Sequence, residues 1–205
     1  LNDLRQALAE INAIRTQVAR DTQFRGYGPM SIALSGLLAL GVAAVESWAI
    51  KDGRDFSTFL LIWVVTATIA VVLTTTEAIT RARKAHHGLA KEMIQLAVEQ
   101  FLPALAVGVL LTGVLMRTAP QELWMLPGLW QLLFSLGVFA SCRFLPRQTM
   151  AVGVWYLIAG LTCLAVQSAT RTFSPWTMGI PFGVGQLLVA GILQFGFEVS
   201  IGEES

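Results

Sequence analysis

The sequence predicts an all-α polytopic membrane protein: six transmembrane helices preceded by a cytoplasmic amphipathic helix. Three observations predict it. Of 205 residues, 55% are hydrophobic and 13% charged, with mean hydropathy +0.64, whereas a soluble domain carries roughly 25% charged residues. Six apolar blocks approach the ~20 residues that a helix needs to cross a bilayer. Lysine and arginine, finally, are distributed unevenly among the breaks between those blocks.

The first element is residues 1–25. Leu4, Ala7, Ile11, Ile14 and Val18 recur at spacings of three and four, while Arg5, Glu10, Arg15 and Arg20 take other faces, as in an amphipathic helix. Leu4, Ile11 and Val18 also repeat at seven, the seam of a short coiled coil. One reading lays this helix on the membrane or on the bundle's inner face. The other makes Leu4, Ile11, Ile14 and Val18 a docking face for a second copy or a partner. Gly26, Gly28 and Pro29 end the helix.

Residues 26–205 are one transmembrane domain. Its spans are Pro29 to Ile50, Phe56 to Thr76, Phe101 to Met116, Leu123 to Phe144, Met150 to Ala169 and Met178 to Phe197. The first begins too far into the chain, behind too long a polar segment, for a secretory leader. The third is short unless the preceding "MIQLAVEQ" extends it. Pro127, Pro175 and Pro181, with Gly128, Gly179 and Gly183 nearby, predict irregular or kinked starts to the fourth and sixth spans.

Ten lysines and arginines precede the first span or lie in the breaks after the second and fourth, against four in the other breaks. The positive-inside bias therefore places both termini in the cytoplasm. Trp48, Trp63, Trp124, Trp130 and Trp176 fall near the opposite ends of the spans, where the indole suits the interface. The outer loops are too short to fold alone.

Inside the spans, polar and small residues fall on single helical faces. Ser31, Ser35, Ala39, Ala43 and Glu46 share one, and Gly153, Tyr156, Gly160, Cys163 and Gln167 another. Gly183, Gln186, Ala190 and Gln194 form a third, and Gln131, Ser135 and Cys142 add to the set. These faces are expected to point into the bundle, where small residues let helices approach and polar groups bond across them. The other reading is a polar intramembrane site of Glu46, Ser35, Gln131, Gln167, Gln186 and Gln194. Glu46 is the carboxylate inside an apolar run, about one turn from its end.

The stretch "TTTEAITRARKAHHGLAKE" holds both histidines. The second helix is expected to continue through it into the cytoplasm, with Arg81, Arg83 and Lys84 at the lipid headgroups. His86 and His87 stand about 100° apart on a helix, so they do not chelate one ion together. They remain candidates for pH sensing or for a partner-binding surface, and Gly88 is expected to break the helix.

No HExxH, GxSxG, Walker-type or CxxCH motif occurs, so enzyme chemistry and a resident cofactor or metal are not expected. A net charge of +1 offers nothing to a nucleic-acid backbone. Cys142 and Cys163 lie in apolar runs and read as reduced packing residues. "SGLLALGVA" and "VGVLLTGVL" hint at a duplicated helix-plus-span unit.

"IRTQVARDTQFRGYGPMSIALSG" from Ile14, "FLPALAVGVLLTGVL" from Phe101, "LPGLW" from Leu126 and "IPFGVGQLLVAGIL" from Ile180 resemble a set of uncharacterised bacterial six-span inner-membrane proteins. The basic "CRFLPRQTM" stands where those proteins have a Gly-rich turn. Their members are often encoded beside a winged-helix regulator, so the resemblance implies the topology and, by association, a regulatory or sensory role. The expected partners are the lipid bilayer and a second copy or another membrane protein. The expected function is that of a scaffold, accessory subunit or sensor, with a small-solute or ion channel or transporter as the alternative.

Overall fold

The computed structural model describes residues 29–49, 55–85, 88–142 and 148–202, and their side chains except at 78, 81–97 and 195–202. The amphipathic helix with Leu4, Ile11, Ile14 and Val18 lies outside the described residues, as do His86 and His87. The side chains of Arg81, Arg83 and Lys84 do too.

All the described secondary structure is helical. Helix α1 is Pro29–Ala49, α2 Phe56–Ala85 and α3 Gly88–Thr118. A 3-10 helix, Pro120–Met125, leads into α4, Leu126–Ser141; α5 is Thr149–Thr170 and α6 Trp176–Gly202. Six windows within these are long and apolar enough to cross a membrane. The third runs Val98–Thr118, because α3 takes in "MIQLAVEQ" and continues through Pro103. Helix α2 carries on past its apolar window to Ala85, and Gly88 opens the next helix.

Each helix packs on its neighbours in the chain, and α6 returns to lie along α1, closing a ring. The α1–α6 and α4–α5 pairs are the most extensive contacts, and the α2–α3 joint is among the slightest. Glycine sets both close pairs. A Cβ at Gly36 would stand 2.9 Å from the Gly183 carbonyl oxygen, and one at Gly160 would stand 2.9 Å from that of Gly128. Backbones this close gain dispersion contact along their length, which is what holds helices together where lipid is as apolar as the side chains.

The distribution of polarity is inverted relative to a water-soluble bundle. Leu34, Leu37, Leu61, Val64, Leu102 and Leu110 are exposed, while Ser35, Glu46, Thr112, Gln131, Ser135 and Gln167 are buried. A soluble protein does not cover itself with contiguous apolar surface of this extent. Such a molecule belongs in a bilayer.

Not every expected face is where its spacing puts it. Gln194 is exposed, and Leu193 takes the buried place, packed with Ala190 and Ile32. Ile32 is three residues from the start of α1, so Gln194 is level with that helix's first turn. Of the five tryptophans expected near the outer ends of the spans, Trp63 and Trp124 are buried and Trp130 is half-buried, whereas Trp48 and Trp176 are exposed. Trp63 packs with Phe59, Ala43 and Met178, with Phe173 against them.

Candidate functional site

The buried polar residues sort into separate levels rather than one continuous file. Near the start of α1, the Ser31 backbone N–H donates to Glu77 Oε2 at 3.1 Å. The first amides of a helix have no partner within it and carry the positive end of its dipole, so an acid from the neighbouring helix suits them. Ser35 hydroxyl donates to the Ile32 carbonyl of its own helix at 2.7 Å, and Gln186 is half-buried with its Cβ facing Gly36. Both are packing residues at this level.

At the middle of the bundle, Phe134 meets Phe101, Tyr156 and Phe182 at centroid separations of 4.9, 4.6 and 5.4 Å. The Tyr156 hydroxyl presses against Gly185, where any Cβ would collide with it. Ser135 donates to the Gly153 carbonyl at 2.8 Å, pinning α4 to α5.

The most connected group lies where α4, α5 and the first turns of α6 converge, and it begins with Pro181. Proline has no N–H, so the carbonyl four residues earlier, that of Thr177, loses its helical donor. Gln131 of α4, fully buried, donates Nε2 to that carbonyl at 2.6 Å. Trp155 of α5 donates Nε1 to the carbonyl of Pro181 itself at 2.9 Å. Irregular backbone at membrane depth is tolerated when neighbouring helices supply the missing partners, and here Gln131 of α4 does. Further along α5, the Cys163 thiol donates to Gln167 Oε1 at 3.4 Å.

Two polar atoms of this group have no hydrogen-bond partner among the described residues, Gln131 Oε1 and Gln167 Nε2. Nearby, the 3-10 helix is tied down by Trp124 Nε1 donating to Glu122 Oε2 at 2.9 Å, and Glu122 stands 3.9 Å from Arg171. Trp130 Nε1 donates to Thr112 Oγ1 at 2.9 Å, joining α4 to α3.

Glu46 lies apart from all of these. It is buried and lines a groove between α1 and α2 whose other walls are Leu38, Gly41, Val42, Val45, Ala49 and Ile62.

Of the six residues predicted for an intramembrane site, then, Gln131 and Gln167 are buried and bonded separately, Gln131 to the Thr177 carbonyl and Gln167 to the Cys163 thiol. Glu46, Ser35 and Gln186 stand at other places, and Gln194 faces outward. Thr177, Trp155 and Glu77 were not expected there. Pro181 was the available signal, since a proline inside a helix orphans the carbonyl four residues back; which donor answers it is a matter of packing.

These features define an integral membrane protein, a six-helix bundle with an internal hydrogen-bonded proline break. No family model, curated protein or solved structure matches the chain.

Proposed function

We propose that this protein is a non-enzymatic membrane scaffold, accessory subunit or sensor that acts through contacts between its helices and those of a second copy or another membrane protein. One observation carries the reading. The membrane-crossing windows of α2 and α3 are only 22% and 6% buried, against 50% for the window containing α4, and these two helices scarcely touch each other. Two adjoining helices thus offer most of their surface to the surroundings. Trp130, Gln131, Ser135 and Trp155 meanwhile bond helix to helix.

In this reading the protein sits in a bacterial inner membrane with both termini in the cytoplasm. The grounds are the lysine and arginine asymmetry and the resemblance to uncharacterised six-span proteins. The amphipathic segment before α1 then faces the same compartment as "RARKAHHG" and forms one docking surface with it. The test is assembly: the purified protein is expected to run as a defined oligomer or complex that is lost when residues 1–24 are deleted. An unchanged assembly after deletion refutes the role given to that segment.

Glu46 supports a second reading, a channel or transporter for a small solute or ion, because a buried carboxylate beside a membrane-facing groove is expensive to keep. Flux through liposomes that falls on Glu46→Gln favours transport, and no flux rejects it.

A further inference from the structure

We draw no further inference here: the strongest candidate, the apolar groove between α1 and α2 lined by Leu38, Gly41, Val42, Val45, Ala49 and Ile62, carries nothing because nothing in the structure shows what covers it, and the Glu46 beside it belongs to the transport reading already given.

Discussion

The bond from Gln131 to the Thr177 carbonyl can be isolated, because its need arises from one residue. Gln131→Leu keeps the volume of the side chain but withdraws the donor. The carbonyl then has no partner in its own helix, since Pro181 cannot supply one, and bulk water does not reach it. An unmatched buried group costs about 1–3 kcal/mol, whereas hydrogen bonds between membrane helices average about 0.6 kcal/mol because the unfolded chain in lipid also finds partners. This carbonyl has fewer alternatives than most, so a loss of about 1.5 kcal/mol is expected, a little over tenfold in the unfolding equilibrium.

The decisive arm is the same substitution in a Pro181→Ala background. A restored amide at position 181 can donate to Thr177, so Gln131→Leu should then cost about 1 kcal/mol less. Any effect of Gln131 that does not pass through the Thr177 carbonyl is common to both backgrounds and cancels in the cycle. Reversible unfolding in mixed micelles of dodecyl maltoside and sodium dodecyl sulfate, followed by circular dichroism, measures all four variants. Equal costs in the two backgrounds would refute the argument that Gln131 stands in for the amide that proline lacks.

Four further outcomes are expected. Gly160→Ala puts a methyl group 2.9 Å from the Gly128 carbonyl oxygen and should lower stability by about 1–3 kcal/mol. Gly41→Ala and Gly113→Ala meet nothing within 4 Å and should raise it by about 0.5–1 kcal/mol, both read from the same unfolding curves. Arg171 ends α5 with φ 49°, the left-handed region that glycine adopts without strain. Its ion pair with Glu122 is long and largely exposed, so Arg171→Gly should leave stability unchanged or improve it; a clear loss would assign that ion pair more weight. Glu77→Ala withdraws the acceptor from the Ser31 amide and should speed hydrogen exchange in the first turn of α1, while Glu77→Gln, which keeps an acceptor, should change it less.

The legible part of the molecule was the part set by local chemistry. A window of apolar residues must become a helix in lipid, because no other structure except a closed barrel satisfies its backbone there. The spans were therefore readable to within a few residues, even where α3 borrowed "MIQLAVEQ". Faces with a small or polar residue every three or four positions were readable for α1 and α5, whose marked residues are all buried. The same rule misplaced Gln194, because spacing says which residues share a face but not which of them a neighbouring helix covers. Nor did it say that Trp63 and Trp124 would be buried, since a ring that suits a headgroup region also packs between helices.

By itself, then, the sequence determined that the chain crosses a membrane, where it crosses, and which carbonyl Pro181 leaves without a donor. Only the tertiary structure decided that Gln131 answers that break, that α6 closes on α1 through glycine, and that α2 and α3 keep most of their surface open. Hydropathy and backbone chemistry act along one helix, where a residue's neighbours are fixed by its number. Pairing between helices depends on rotation and depth to within a fraction of a turn, and those are set only when all six are packed.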